Sequence, residues 1–368
     1  MRVAVVINTS WNIYNFRMGL IQGLRKEGME ITAIAPHDEY SDRIQQHITF
    51  HTVKMQQKGA NPLSDLRLIF DLYCLYKSIK PDCILHYTIK PNIYGTFAAK
   101  LAGIPSINNV SGLGTVFLHN NYVSKIAVWL YRLAFRFPST VFFQNNDDRQ
   151  LFLDRKIVTP RNTDVLPGSG INLSAYTPKE LPPVKPFIFL FASRLLYDKG
   201  VVEFAEAARI VRKKYPDTIF LLAGALDNNK KLGITRQILD RWIRENIIVY
   251  KGFVENIHDL IAQSHCIVLP SYREGVPRTL IEAAAMSRPC IASSVPGCTE
   301  VIVDEYNGFL CKQRDSSSLA DKMEKMLLLS NNDLQKLGSN GRVLAEGKFN
   351  EQIIIEKYLQ AIRKAVKK

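Results

Sequence analysis

Short runs of β-branched and aromatic residues alternate with helical patterns twice along this chain of 368 residues, and this alternation constrains the fold more than any other feature. In the first half, strands are predicted at 3–7, 30–35, 84–86, 105–109 and 140–143, and helices at 16–26, 63–78, 93–102 and 124–137. Strands that alternate with helices are joined by right-handed crossovers. We therefore predict an α/β fold with a mostly parallel, doubly wound sheet.

A proline-rich segment interrupts the alternation, with four prolines in the ten residues 177–186. Beyond it, strands are predicted at 187–191, 218–222, 247–250, 266–269 and 290–292. We predict a first domain over 1–177, a stiff hinge over 178–186, a second domain over 187–349 and a C-terminal helix over 350–368 that packs back on the first domain. Two such halves should face a central cleft at the carboxyl ends of their strands, where ligands of these folds bind.

The chain is basic, with 48 Lys and Arg against 34 Asp and Glu and a formal net charge of +14. This excess suits an anionic partner, whether nucleic acid, an acidic membrane face or a phosphorylated small molecule. With 46% hydrophobic and 22% charged residues, the composition is that of a globular protein and excludes disordered and low-complexity classes.

Cysteines and apolar runs limit the chemistry and the location. The six cysteines, at 74, 83, 266, 290, 298 and 311, form no C-x-x-C pair, so we expect buried, reduced thiols without zinc or thioredoxin-type chemistry. No apolar run approaches the roughly 20 residues needed to span a bilayer. We expect a cytoplasmic chain that touches a membrane only at its surface.

Two carboxylates lie eight residues apart where a predicted strand passes through a tight loop into a helix, over 269–286. Glu274 lies in the loop, where Gly275 permits close approach of the backbone and Pro277 favours a helix start. The N–H groups of this turn therefore suit an anion such as a diphosphate. Glu282 lies in the early turns of the helix, where a plain surface charge favoured by the helix dipole is an alternative interpretation.

Two cations follow the first strand of the second half. Arg194 and Lys199 flank a predicted helix start with Asp198 as its N-cap. The forked donors of Arg and the point charge of Lys together suit a diphosphate. Two solvated surface cations are the alternative, and the placement after a central strand favours a ligand.

These motifs resemble the retaining family 4 glycosyltransferases of the GT-B fold. The resemblance rests on S-R-L-L-Y-D-K-G at 193–200, on E-G-V-P-R from Glu274 with its E-x7-E spacing, on G-S-G-I-N at 168–172 and on F-V-E-N at 253–256. In the first half, the stretches 12–17, 58–62, 86–94, 109–114 and 143–149 look like the branch that elongates polyprenyl-diphosphate-linked glycans for capsule, O-antigen and protein glycosylation.

The resemblance implies a role for each matching donor residue. Arg194 and Lys199 would bind the donor diphosphate and stabilise the charge that grows on it as the glycosidic bond breaks. Glu274 would hold the transferred sugar with the Gly275 and Val276 amides, and Glu282 would accept hydrogen bonds from the ribose. The resemblance thus implies that the catalytic residues are Arg194, Lys199 and Glu274. It implies further contacts to the donor at Gly170, Phe253, Val254 and Pro277.

The same resemblance implies acceptor contacts in the first half, at Asn15, Arg17, Lys90, Asn109 and Ser111. Ser111 stands where many members carry a His, so no His is assigned to the transferred sugar. The first loop, 8–17, has larger polar side chains than the usual Gly-Gly, which favours side-chain contacts to a sugar. His86 is interpreted as a structural residue, and Lys90 as a candidate for an acceptor phosphate.

No metal or other cofactor is expected. By the resemblance, the two cations do the work of a divalent ion, and no D-x-D pair stands at a strand end. The one Asp-Asp pair, Asp147 and Asp148, opens a predicted helix and is interpreted as capping.

Half of the formal net charge lies in residues 52–136, which contain ten Lys and Arg residues and three Asp residues. Segment 122–137 joins such cations to aromatic residues at helical spacing, which suits an anionic membrane surface; a core-packed helix with a basic edge is the alternative.

We predict a peripheral enzyme on the inner face of the membrane that transfers a hexose or N-acetylhexosamine to a polyprenyl-diphosphate-linked saccharide. The donors that we favour are UDP-GalNAc and UDP-GlcNAc. A non-transferring, epimerase-like GT-B enzyme is the first alternative, and a nucleic-acid-binding protein is the last, since no recognition module supports it.

Overall fold

The chain forms two compact units. The structure, a computed structural model, describes residues 1–56, 61–113, 122–183, 185–227, 229 and 231–367; residues 58–60 and 114 of the branch-like stretches lie outside these ranges. Unit 1 comprises Met1–Gly170 and Glu351–Lys368, and unit 2 comprises Ile171–Asn350. The boundary therefore precedes residue 177, and the proline-rich segment belongs to unit 2.

Unit 1 is built on a parallel sheet of seven strands in the order β3-β2-β1-β4-β5-β6-β7. The strands are β1 (Arg2–Val6), β2 (Glu30–Ala35), β3 (Thr49–Thr52), β4 (Cys83–Tyr87), β5 (Ser106–Val110), β6 (Thr140–Phe143) and β7 (Thr163–Val165). The two edge strands, β3 and β7, were not predicted. Neither contains a fully buried residue, so neither shows the apolar run that marks the central strands.

Helices cover both faces of this sheet. They are α1 (Ser10–Phe16), α2 (Met18–Lys26), α3 (Ser41–Gln45), α4 (Pro62–Ile79), α5 (Thr96–Ala102), α6 (Tyr122–Ala134) and α7 (Asn146–Asp154), with a π-helical turn at Pro91–Gly95. Because side chains alternate along a strand, Ala4 and Val6 of β1 face α4 and α5, whereas Val3 and Val5 face α2. On β5 and β6, Val110, Val141 and Phe143 face α6 and continue the α4 side of the sheet.

Three local predictions for unit 1 need correction. The helix predicted at 16–26 begins at Met18, because the backbone leaves the helical region at Arg17, with φ −125°, and the preceding helix α1 was not predicted. The N-cap of α7 is Asn145, whose side chain accepts the N–H of Asp148, so the cap precedes the Asp pair. Cys74 on α4 is exposed, whereas the other five cysteines are buried thiols as expected.

Unit 2 has a parallel sheet of six strands in the order β10-β9-β8-β11-β12-β13. The strands are β8 (Ile188–Ala192), β9 (Ile219–Ala223), β10 (Val249–Gly252), β11 (Cys266–Leu269), β12 (Cys290–Ser293) and β13 (Gly308–Cys311). The helices are α8 (Val201–Lys214), α9 (Arg236–Arg244), α10 (His258–Ala262), α11 (Arg278–Ala285), α12 (Ser316–Leu327) and α13 (Asn331–Leu344). In both units, strand order reverses beside the first strand, which defines a doubly wound, Rossmann-like fold.

The C-terminal helix, α14 (Glu351–Val366), belongs to unit 1. Its apolar stripe, which includes Ile354, Ile355 and Ile362, is buried in the same core as Val3 and Val5 of β1. The helix approaches Gly170 so closely that a Cβ there would lie 2.7 Å from the Cα of Glu351. Residues from the two ends of the sequence therefore share one core.

Candidate active site

Two loops of unit 2 lie at the carboxyl ends of the neighbouring parallel strands β8 and β11. One follows β8 and passes through a 3₁₀ turn, Tyr197–Lys199, before α8; the other, 270–277, follows β11 and leads into α11. The backbone N–H of Tyr272 donates to the carbonyl of Asp198 at 2.8 Å, so the loops are hydrogen-bonded together. Asp198 was predicted to be the N-cap of α8, and this prediction is wrong. The helix begins at Val201, after Gly200 in the left-handed conformation.

Lys199 and Glu274 form an ion pair between these loops. The Lys199 Nζ lies 2.6 Å from Oε1 of Glu274, and the side chains are only 17% and 13% exposed. Ser271 Oγ donates to the same carboxylate oxygen at 2.8 Å. A charge removed from water acts more strongly on a nearby charge than a solvated one does, so this pair is suited to bind and polarise an ionic ligand.

Two glycines allow the loops to approach closely. Gly200 has φ +73°, and a Cβ there would overlap the carbonyl group of Pro270. Gly297 has φ +83°, and a Cβ there would overlap the carbonyl oxygen of Gly275. Since the left-handed conformation and the missing Cβ both require glycine, these positions fix where Glu274 lies.

Glu282 is buried on α11, which overturns the interpretation of a surface charge. It is 6% exposed, and its Oε1 accepts from Arg278 Nε at 2.8 Å and from the Tyr176 hydroxyl at 3.0 Å. Burial raises the pKa of Tyr176 to about 12, and the Glu282 charge acts in the same direction. The hydroxyl therefore stays protonated and donates to the carboxylate.

The other predicted donor residues of unit 2 vary in exposure. Arg194 is exposed directly after β8, and Phe253, after β10, is 56% exposed. Val254 packs partly buried against the core of the unit. Gly275, Val276 and Pro277 are buried; Val276 is 8% exposed, and Pro277 is the N-cap residue of α11.

The predicted acceptor residues lie in unit 1, and all but Asn15, which is on α1, lie near the carboxyl ends of β4 and β5. Arg17 is 4% exposed, with its guanidinium carbon 4.3 Å from the centroid of the Tyr87 ring. Asn109 on β5 donates through Nδ2 to the hydroxyl of Tyr358 on α14 at 2.9 Å. In this part of unit 1, the buried polar atoms without a hydrogen-bond partner among the described residues include Arg17 Nε and the Oδ1 atoms of Asn12, Asn92 and Asn109. Such atoms are suited to a polar ligand.

The remaining predicted residues of unit 1 differ in their burial and in their contacts. Lys90 is 9% exposed, and its Nζ contacts Asp65 Oδ1 at 2.7 Å, so an acceptor phosphate would have to compete with that carboxylate. Asn15 donates to the carbonyl of Trp11 at 2.9 Å, and Ser111 is half-buried after β5. Gly170 lies against α14 in unit 1, so its geometry is explained by helix packing.

His86 is structural, as the sequence indicates. It is fully buried on β4, between the Tyr76 hydroxyl at 3.0 Å from Nε2 and Asn108 Oδ1 at 3.2 Å from Nδ1. Burial lowers the pKa of the imidazole to about 4, so the ring is neutral at neutral pH.

Sequence reasoning missed several residues that contact the predicted ones within each unit. Ser271 and Arg278 are three and four residues from the carboxylates they contact, so local spacing could have indicated both. Tyr176 is 106 residues from Glu282, and Tyr358 is 249 residues from Asn109. No local pattern marks contacts at such separations.

The part of the chain that the structure describes contains neither a candidate metal cluster nor a candidate membrane-spanning helix. No group of three or more His, Cys, Asp and Glu side chains there is placed to hold a metal ion. None of the described helices is both long and apolar enough to cross a membrane.

Two Rossmann-like units define the GT-B class of glycosyltransferase folds. The family model described as "Glycosyl transferase 4-like" matches residues 2–145, and "Glycosyl transferases group 1" matches residues 174–344. These two ranges account for most of the chain. The chain belongs to the family 4 type of GT-B glycosyltransferases and is a glycosyltransferase, as predicted. This membership favours sugar transfer over an epimerase-like activity and over nucleic-acid binding.

Individual proteins show the same likeness. The chain is 27% identical, over all of both sequences, to an N,N'-diacetylbacillosaminyl-diphospho-undecaprenol alpha-1,3-N-acetylgalactosaminyltransferase of Campylobacter jejuni. It is 23% identical to a UDP-Gal:alpha-D-GlcNAc-diphosphoundecaprenol alpha-1,3-galactosyltransferase of Escherichia coli, over 84% of this chain and 86% of that one. The crystal structure of Anabaena HepE with UDP and glucose shares the fold, with a TM-score of 0.82 and 19% identity over 99% of each chain.

Proposed function

We propose that this glycosyltransferase moves a hexose or N-acetylhexosamine, from UDP-GalNAc or UDP-GlcNAc, to a polyprenyl-diphosphate-linked saccharide in glycan assembly. The observation that carries the proposal is the nearly buried contact between Lys199 and Glu274 at the carboxyl ends of β8 and β11. Two relatives whose names specify undecaprenol-diphosphate-linked substrates support the choice of acceptor. The likeness to a UDP-bound structure supports the choice of nucleotide.

In the proposed reaction, Lys199 and Arg194 bind the diphosphate of the donor. As the bond between the anomeric carbon and the diphosphate oxygen breaks, negative charge grows on the leaving group and strengthens its attraction to both cations. An interaction that strengthens towards the transition state lowers the barrier, which a uniformly strong contact does not. Because Lys199 is already held by Glu274, this cation needs little reorganisation during the reaction.

Glu274 positions the sugar through its hydroxyls, with the amides of Gly275 and Val276. Its carboxylate is already oriented by Lys199 and Ser271, so the sugar meets a fixed acceptor of hydrogen bonds. Glu282 accepts from the ribose hydroxyls while Arg278 and Tyr176 hold it from the protein side.

Transfer is proposed to retain the anomeric configuration by a front-face displacement. The acceptor oxygen bonds to the anomeric carbon on the face that the diphosphate leaves, and the proton of the acceptor hydroxyl passes to the departing phosphate oxygen. The cations are proposed to supply the positive charge that a divalent ion would otherwise supply, so no metal cofactor is included.

The acceptor is proposed to meet unit 1 at Arg17, Asn15, Asn109 and Ser111. The buried polar atoms without partners near β4 and β5 support this location, because a saccharide or diphosphate would supply hydrogen bonds that they lack. We place the enzyme on the cytoplasmic face of the membrane, where a lipid-linked acceptor is reached.

The test is a panel of UDP-, GDP- and dTDP-sugars, incubated with the enzyme and short-chain polyprenyl-diphosphate-linked saccharides, with products identified by mass spectrometry. One added hexose or N-acetylhexosamine from a UDP-sugar is the expected product. Conversion of the sugar nucleotide without any change in the acceptor would instead indicate an epimerase-like enzyme and overturn the proposal.

A further inference from the structure

Large apolar side chains are concentrated on one side of unit 1. Among the described residues, sixteen large hydrophobic side chains are exposed, and seven of them lie on α4, α5 and α6 or directly after α6. They are Leu63 (80%), Leu66 (63%), Phe70 (65%), Leu101 (67%), Ile126 (58%), Trp129 (56%) and Phe137 (43%). We call this surface the α4–α6 face. An apolar patch of this kind on a soluble fold marks an interaction site.

The helical spacing gives this face a consistent direction. On α4, Leu63, Leu66 and Phe70 recur at three- and four-residue steps on the side opposite Leu68 and Leu72, which are buried against the sheet. On α6, Ile126 and Trp129 are exposed while Tyr131, Ala134 and Phe135 are in the core. The helix therefore packs inward, as the alternative interpretation of segment 122–137 has it, and also presents an exposed apolar edge.

All three helices pack against the same face of the sheet, as the alternation along β1, β5 and β6 shows. Phe97 on α5 packs edge to face with Phe137, and Lys100 lies 5.6 Å from the Phe137 ring centroid. The exposed side chains of α5 and the end of α6 are therefore close neighbours.

The charges on these helices are almost all positive. The exposed cations are Arg67, Lys77, Lys100, Lys125, Arg132 and Arg136. The sequences of α5 and α6 contain no acid, and α4 contains two. Of these, Asp65 is buried against Lys90, and Asp71 lies 3.8 Å from Arg67. The α4–α6 face therefore combines exposed apolar side chains with a net positive charge.

We propose that the α4–α6 face binds directly to an anionic lipid bilayer, with α4 inserting its apolar side chains. The charge complementarity selects this partner, because Lys and Arg reach the phosphate headgroups while Leu, Phe and Trp enter the boundary with the acyl chains. The proposal rests on the proposed function only in that a lipid-linked acceptor gives membrane binding a purpose. It extends the sequence-based expectation from α6 to α4 and α5.

Vesicle binding tests the proposal. The full-length protein should co-sediment with vesicles that contain phosphatidylglycerol and bind pure phosphatidylcholine at least tenfold more weakly, with the difference reduced by salt. The double variant Leu66→Gln/Phe70→Gln should lose at least tenfold in affinity for the anionic vesicles. Leu328→Gln, at a side chain 73% exposed in unit 2, is the matched control and should bind like the wild type.

Trp129 supplies a local signal. Its fluorescence emission should shift to the blue when anionic vesicles are added, and Trp129→Phe should remove most of this shift. Unchanged vesicle affinity of the double variant, or equal binding to neutral vesicles, would overturn the proposal. So would a concentration-dependent dimer without lipid that the double variant abolishes, since the face would then bind a second copy of the chain.

Activity separates this proposal from the proposed function. With a short-chain, water-soluble acceptor, the double variant should turn over at the wild-type rate, because neither substituted residue lies in the proposed site. If the wild type binds anionic vesicles through this face but transfers no sugar, the proposed function fails and the membrane surface stands. The reverse result would overturn the membrane surface alone.

Discussion

The Lys199 ammonium lies 2.6 Å from the Glu274 carboxylate, a residue 75 positions further along the chain. The contact joins the loops after β8 and β11, whose strands are neighbours in the sheet of unit 2. Each charge fixes the other, and Ser271 holds the carboxylate as well. The arrangement therefore prepares both groups before any ligand binds.

Replacing Lys199 by Ala should remove one cation from the donor diphosphate and leave Glu274 without its ion-pair partner. We expect kcat to fall by about 100-fold or more, the usual effect of losing a group that stabilises transition-state charge. Steady-state kinetics with a saturating UDP-sugar measure the loss. Lys213→Ala, an exposed Lys of α8, is the control and should have wild-type kinetics. Near-normal turnover of Lys199→Ala would remove its assigned role.

Glu282→Gln should weaken UDP binding more than it slows transfer. A hydrogen bond to a charged group contributes roughly 1.5–3 kcal/mol, so we expect the Kd for UDP to rise about 10- to 100-fold. Isothermal titration with UDP measures it directly. Asp321→Ala, at an exposed acid on α12, controls for the loss of one negative charge in the same unit. An unaltered Kd in folded protein would contradict the ribose assignment.

Gly297→Ala should damage the site through the backbone. The residue has φ +83°, and the new Cβ would overlap the Gly275 carbonyl oxygen, so the loop that carries Glu274 must shift. Gly28→Ala is a matched control, since its φ is +77° but no atom lies within 4 Å of the new Cβ. Both variants should lose about 1–2 kcal/mol of stability from the left-handed conformation. Only Gly297→Ala should also lose transfer activity, and equal activity of the two would refute the role of the close approach.

Most central strands of both sheets could be predicted because they are short, largely apolar runs, whereas β5 was predicted although it contains Asn108 and Asn109. The edge strands β3 and β7, which contain no fully buried residue, were not predicted, and neither was the edge strand β13, although it is mostly buried. The C-terminal helix was expected to pack back on the first domain, and it belongs to unit 1. The boundary between the units falls after Gly170, whose close approach to Glu351 is a tertiary contact that no local pattern indicates.

At the candidate site, motif spacing indicates Arg194, Lys199, Glu274 and Glu282. The structure adds the contacts that hold the last three of these side chains. The burial of Glu282 depends on Tyr176, which lies outside every local motif. For Lys90, the sequence position suggests a role in binding phosphate, whereas the structure shows its ammonium in contact with the Asp65 carboxylate. Pairings of this kind are set by the tertiary fold, so the sequence pattern alone does not contain them.

His86 should make the stability of unit 1 depend on acid pH. Burial lowers its pKa from 6.5 to about 4, so the unfolded chain takes up a proton before the folded protein does. Its contribution to stability is complete above pH 6.5 and is lost towards pH 4, at about 1.4 kcal/mol per pH unit. An NMR titration should show an imidazole that stays neutral down to about pH 5. Titration of His86 near pH 6.5 would contradict its burial as a neutral ring.

The most direct test of the account is transfer by Glu274→Gln, which keeps the shape of the side chain and removes its charge. The wild type is expected to extend a polyprenyl-diphosphate-linked saccharide by one sugar from a UDP-sugar, measured by mass spectrometry of the lipid product. The variant should keep its fold and bind UDP, yet transfer at least about 100-fold more slowly. Wild-type rates of transfer in Glu274→Gln would contradict the central role of the Lys199–Glu274 pair.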